Sequence, residues 1–234
     1  MAASARQPLG GGVGTRRTRS GHNRMEIHTR VLGSFQVSAY VVIDGGEAMV
    51  VDAPEGAEQI VDFCKGRGLA PKLVVNTHGH VDHIFGNAAL KAAWPDAALA
   101  IGREDGPMLT SPMRNLSLLM GAWVKSPKAD RLLADGDRIE VGAATFEVLA
   151  TPGHSPGGIS LYTKAGPDGK PAVFTGDALF AEGIGRTDFP GASHETLLAS
   201  IRERLLTLPA ETVVYPGHGP QTTIGHEAKA NPWL

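Results

Sequence analysis

The chain has 234 residues, 42% of them apolar, and a single cysteine, Cys64. That is enough to bury a full core in one domain, excludes an internal disulfide and suits a reducing, cytoplasmic setting, and no apolar run approaches the roughly 18 residues of a membrane span. The formal charge of −2 is uneven: Arg6, Arg16, Arg17, Arg19 and Arg24 meet no acid in residues 1–24, so the remainder carries −7, a poor start for binding nucleic acid.

The first segment, "MAASARQPLGGGVGTRRTRSGHNR", has clustered glycines and no apolar period, and reads as a disordered basic tail or an over-long start before Met25. It lacks the apolar stretch of a secretory signal, and "LGGGVG" makes a poor amphipathic helix for a transit peptide. The domain is therefore placed at residues 25–234. "SAYVVID" and "EAMVVD" flank Gly45-Gly46 as a hairpin. Pro54 to about Gly68 reads as a helix, on whose apolar stripe Cys64 joins Ala57, Ile60 and Val61 as a buried small hydrophobe.

"KLVVNT" reads as a strand, "HIFGNAALKAAW" as one helix stopped by Pro95, and "ALAIG" as another strand. Residues 102–137 are rich in Met and Leu without a clear period. There Met108, Met113, Leu116, Leu119, Met120 and Trp123 could wall a pocket, with core or dimer packing at least as good a reading. "TFEVLAT", "GISLYT" and "AVFTGD" follow as strands, Ser193 to Leu208 as a helix with Leu197, Leu198, Ile201, Leu205 and Leu208 on one face, and "ETVVYPGHG" as the last strand.

Four times an apolar, β-branched run ends in a turn followed by a metal-competent side chain: "LVVNTHGHVDH", "FEVLATPGH", "AVFTGD" and "TVVYPGH". Loops at strand ends display functional groups on a rigid scaffold. Together they offer His78, His80, Asp82, His83, His154, Asp177 and His218, too many donors for one tetrahedral zinc and a suitable number for two metals sharing a bridge. Gly79 keeps the crowded segment clear of another side chain, and Gly153, Gly176 and Gly217 are expected to adopt angles that other residues resist. His22, His28, His194 and His226 lack any partner motif and are read as lying outside the site.

"THGHVDH" resembles the H-x-H-x-D-H motif of the metallo-β-lactamase superfamily, and His154, Asp177 and His218 follow in the order of that family's remaining ligands. The resemblance runs from about Met25 to Leu234 and implies an α/β fold, an αββα sandwich of two mixed sheets with helices outside. It further implies that His78, His80 and His154 hold one metal, that Asp82, His83 and His218 hold a second, and that Asp177 and a hydroxide bridge the two. The commonest zinc β-lactamases place cysteine where this chain has Asp177, which disfavours that activity. "TGDALFAEGIGRTDFPG", "PGHGPQTTIGHEAKANPWL" and "MEIHTRVLGSFQVSAYVV" look like short hydroxyacylglutathione hydrolases of the glyoxalase II type. The implied function is hydrolysis of a small-molecule thioester such as S-lactoylglutathione, with the bridging hydroxide as nucleophile and Asp82 both ligating and orienting it. Full-length glyoxalase II enzymes add a C-terminal helical domain that helps to hold glutathione, whereas 16 residues follow His218 here.

A thiolate departs without protonation, whereas an amide nitrogen needs a general acid, and none stands among these motifs. Arg186 in "GIGRTDF" is a candidate for binding a substrate carboxylate, although bracing of its own loop with Thr187 and Asp188 is the stronger reading. The metals are expected to be zinc, with iron or manganese also compatible with nitrogen and oxygen donors. One competing function is a persulfide dioxygenase with a single non-haem iron on His78, His154 and Asp177. Those enzymes also carry a "GRTDF" stretch but read P-A-H-D-Y where this chain has "PGHGP". A non-catalytic metal-binding role is the third reading.

Overall fold

A computed structural model describes residue 1 and residues 25–234; the expected N-terminal tail falls almost entirely outside the described residues. Six strands form a first sheet in chain order: β1 (Glu26–Leu32), β2 (Val37–Asp44), β3 (Glu47–Val51), β4 (Leu73–Asn76), β5 (Ala98–Gly102) and β6 (Arg131–Leu133). β1 to β3 are antiparallel, and β3 to β6 run parallel. The second sheet holds β7 (Arg138–Val141), β8 (Ala144–Ala150), β9 (Ile159–Thr163) and β10 (Ala172–Gly176). A small hairpin of β11 (Leu179–Phe180) and β12 (Gly183–Ile184) then precedes β13 (Val213–Pro216) and β14 (Thr222–Thr223), which return to the second sheet in the order β14-β13-β10-β9-β8-β7.

All eight residues of β2 are buried, and the period of two in a strand sends them into two different cores. Tyr40 and Val42 point inward to meet Met49, Phe146, Val148, Leu161 and Phe174 between the sheets. Ala39, Val41 and Ile43 point outward, against Ile60 and Cys64 of α1 (Glu58–Gly66) and Leu90 of α3 (Asn87–Ala93). On the far side, Val173 and Val214 pack under Leu197 of α4 (His194–Ser200) and Ile224 of α5 (Ile224–Ala230). Three apolar layers separate four structural ones, which is the expected αββα sandwich. Cys64 lies in the outer core, where burial pushes its thiol up to about 11. Among the described residues no helix is long and apolar enough to cross a membrane.

Four expectations need correction. The helix expected over residues 83–94 is two, α2 (Val81–Ile84) and α3, because Gly86 N–H donates to Ala53 O (2.7 Å) outside the helix, at a crossing so close that a Cβ on Gly86 would stand 2.3 Å from Ala57 Cβ and 2.5 Å from Pro54 O. The helix expected from Ser193 to Leu208 widens after Ser200 into a π-turn, Ile201–Leu205, in which Leu206 N–H donates to Ile201 O. β13 is not the last strand, since β14 and α5 follow it. β1 was not expected either, because "EIHTRVL" buries only Leu32 fully and so lacks a clean alternation.

Candidate metal centre

The parallel arrangement of β4 in one sheet, and of β10 with β13 in the other, brings several strand ends to one rim of the sandwich. Beyond β4 come His78 and His80, and α2 then turns Asp82 and His83 back over them. The loop after β8 supplies His154, the turn after β10 supplies Asp177, and the turn after β13 supplies His218. All seven residues singled out in the sequence therefore meet, in three overlapping sets whose donor atoms lie within 4.8 Å of one another: His78, His80 and His154; His78, His83 and Asp177; Asp82, His83 and His218. Nδ1 of His80 is 2.9 Å from Nε2 of His154, and Asp177 Oδ2 is 3.6 Å from His154 Nε2 and 3.4 Å from His218 Nε2.

Gly176 takes the left-handed φ of +49° that this turn needs. Gly217 does not fit that expectation: its φ is not among the positive ones, and what it supplies is space, since a Cβ there would lie 2.2 Å from Asp177 Oδ1. Gly79 likewise has no room, with Met108 Cβ only 2.6 Å from where its own would be.

His78, His80, His83 and His154 are buried, and Asp82, Asp177 and His218 are half-buried at the cavity. Burial, joined by the charge of His83, pushes His78 well below the ordinary imidazole range, and burial with His154 takes His80 down to about 3. Both are neutral rings with lone pairs free to donate. Burial opposes charge on His83 as well, but Asp177, Asp52 and Asp82 outweigh it and hold that ring well above its usual value. Burial opposes charge on His218 too, but hydrogen bonds that its ring donates to Asp177 and Asp82 overcome it and raise the ring to about 9. Two buried atoms, His78 Nε2 and Asp177 Oδ1, make no hydrogen bond, although His83 Nε2 stands 3.3 Å from the latter. A buried polar atom without a partner costs free energy. The neutral rings of His78 and His80 beside ionised carboxylates, with unsatisfied atoms aimed inward, fit nitrogen- and oxygen-ligated divalent cations, and a bound cation would displace the protons that the carboxylates hold on His83 and His218.

Two buried aspartates complete the site and were not singled out in the sequence. Asp52 follows β3 and accepts from Thr77 N–H and Thr77 Oγ1, both at 2.8 Å, while its Oδ2 is 2.8 Å from His83 Nδ1. A carboxylate behind a histidine sets the ring's orientation and tautomer. Its signal was available: "EAMVVD" ends a β-branched run in a metal-competent acid, as "AVFTGD" does. Asp105 had no such signal. It accepts from Gly79 N–H (2.9 Å), Ser155 Oγ (2.6 Å) and Gly157 N–H (2.6 Å), joining the loop of His78 and His80 to the loop of His154.

Arg186 braces its own loop through paired contacts to Asp188 of 2.9 and 2.7 Å, and its guanidinium lies over Phe189. Its carbonyl oxygen sits 2.7 Å from His154 Nδ1 and so fixes that ring. Arg186 also lines the cavity of about 250 Å³ onto which His80, Asp82, His154, Asp177 and His218 open. His28 pairs with Glu26 and Arg67, His194 neighbours Thr187, and His226 neighbours Glu182, none of them in the donor sets. His22 is outside the described residues. Met108 and Leu116 are buried, whereas Met113, Leu119, Met120 and Trp123 are exposed.

Residues 32–218 match the family model described as "Metallo-beta-lactamase superfamily". The "Probable metallo-hydrolase YqgX" of Bacillus subtilis is 36% identical over 87% of this chain and 94% of its own length. "Hydroxyacylglutathione hydrolase GloC" of Haemophilus influenzae is 33% identical over 90% of this chain and 98% of its own. Among solved structures, BLEG-1 B3 metallo-β-lactamase superposes with a TM-score of 0.83 at 37% identity, covering 89% of this chain and 99% of that one. TTHA1623 in a di-iron-bound form superposes with a TM-score of 0.78 at 37% identity, over 88% and 100%.

Proposed function

The chain belongs to the metallo-β-lactamase superfamily, and on that premise we propose that it is a hydrolase of small-molecule thioesters with two divalent metals in its site. The observation that carries this reading is the convergence of seven donors in overlapping sets within one buried rim. His78, His80 and His154 would hold one metal, Asp82, His83 and His218 the other, and Asp177 both. A metal pair of this kind lowers the pKa of bound water toward neutrality and polarises a carbonyl oxygen. Zinc is the first candidate; the di-iron form of TTHA1623 makes iron a second.

The chain's own groups then divide the work. Asp82, with one carboxylate oxygen 3.5 Å from His218 Nε2, lies on the cavity wall where it can orient an attacking oxygen as well as donate to a metal. Asp52 and the Arg186 carbonyl hold His83 and His154 against rotation. Apart from the donors, Arg186 is the one ionisable side chain among the described residues that lines the cavity, and its proton is unavailable because pairing with Asp188 raises its pKa further. Without a general acid, the favoured leaving group is one that departs unprotonated, a thiolate rather than an amide nitrogen. The GloC relative supports the same reading. The acidic body is proposed to leave nucleic acid unbound, with residues 25–234 acting as a single catalytic domain.

The test is an assay of protein purified with excess metal against S-lactoylglutathione, glutathione persulfide and a β-lactam, with elemental analysis alongside. Thioester cleavage with about two metals per chain is expected. One iron per chain with oxygen uptake on the persulfide overturns the proposal in favour of an oxygenase, and turnover of the β-lactam alone overturns it in favour of a lactamase.

A further inference from the structure

Asp82 stands where two cavities meet. One is the donor cavity; the other, about 230 Å³, runs from Asp82 under the turn between β1 and β2, and Phe35, Asp82 and Met120 line both. The rest of the second cavity's wall is largely apolar, with Val37, Val81, Phe85, Ala122 and Val124 on it. Its charged lining residues are Glu55 and Asp82, both acids, and among the described residues no Lys, Arg or His lines it. Phe35, Phe85 and Met120 are 50%, 45% and 47% exposed, so three large apolar faces around this cavity stand open to water. Covering them is favourable in proportion to the apolar area removed from solvent.

We propose that this second cavity binds the acyl arm of the substrate, and that it favours neutral aliphatic arms of medium length over short ones. The inference rests on the thioester reading above. A carbonyl beside Asp82 has two substituents, and each must leave along one of the two cavities. Biological thiols of the glutathione type carry carboxylates, which Glu55 and Asp82 on this wall repel, whereas an alkyl chain meets apolar walls. At roughly 30 Å³ for each water-sized group, the cavity holds about seven carbons. Each methylene drawn in from water should strengthen binding about three- to fourfold.

The experiment uses zinc-loaded full-length protein and N-acetylcysteamine thioesters, whose thiol is too small to dominate binding, with acetyl, butanoyl, hexanoyl, octanoyl and dodecanoyl arms. Their kcat/KM is read beside the Kd of matching, uncleavable S-alkyl thioethers. Both should improve about threefold per methylene up to about eight carbons and then level off. Ala122→Trp, which fills the cavity from an exposed position, and Phe85→Ser, which removes part of its wall, should each bring the hexanoyl-to-acetyl ratio close to one. Hydrolysis that is indifferent to acyl length overturns the acyl assignment and leaves the thioester reading standing. Thioethers that bind by length while no thioester is cleaved uphold the cavity and overturn the thioester reading. Length-independent binding without cleavage overturns both.

Discussion

The segment His78–His83 and the segment 112–124 border the same cavities and are built in opposite ways. In the first, His78, His80 and His83 are 2%, 5% and 0% exposed, and buried carboxylates anchor it from behind, Asp52 through Thr77 and His83, Asp105 through Gly79. In the second, Met113, Leu119 and Trp123 are 69–70% exposed, and order comes from a short 3₁₀ turn, Leu118–Met120, together with hydrogen bonds of Asn115 and Ser117. Charge in a low-dielectric site is tolerated only with exact partners, so the donor loop is pinned at several points. An apolar wall needs only surface. On the proposed function, chemistry falls to the first segment and selection of substrate to the second.

The contrast breaks most completely at the shared donor. Asp177→Ala removes a carboxylate from both proposed metal sites, and elemental analysis should fall from about two metals per chain to well under one, with thioester turnover lost. Full occupancy in that variant would remove the bridging role.

Asp105→Ala attacks the pinning itself. Gly79 N–H, Gly157 N–H and Ser155 Oγ lose their buried acceptor, at a cost of about 3 kcal/mol, or roughly 6–12 °C in Tm for a chain of this size. A melting temperature unchanged within a degree would mean that water replaces the carboxylate without loss.

Asp82→Asn sharpens the contrast by separating holding from orienting. It keeps a neutral oxygen donor and should weaken the second metal moderately, while kcat falls by more than the lost occupancy accounts for. Turnover that simply tracks metal content, measured on the same samples, would leave Asp82 as a ligand alone.

At the other extreme, Trp123→Ser removes a side chain that is 70% exposed. Stability should move by no more than about 0.5 kcal/mol in chemical denaturation, and metal content should stay the same. A large loss would show that the exposed segment is structural after all.

Much of this was legible in the sequence because the signals are local. Strand runs such as "LVVN" and "AVFTG" announce themselves by β-branching, and the donors that end them sit within one or two turns of the chain, so residue types and spacing point to the site without any tertiary information. Asp52 obeyed the same rule and could have been read from it. Asp105 could not, because its partners Gly79, Ser155 and Gly157 are 26 to 52 residues away in sequence. The break of the helix at Gly86 was hidden for a similar reason: the clash that requires glycine is with Pro54 and Ala57 across the fold. The cavity beside Asp82 is the extreme case, assembled from β1–β2, the turn before α1, α2 and the 117–124 segment. Sequence by itself determined which residues carry donors and where the most strongly β-branched runs become strands, since propensity and periodicity act between neighbours. Only the tertiary structure decided which buried carboxylates hold those donors and what shape lies beside them, since both arise from contacts between segments that no local pattern connects.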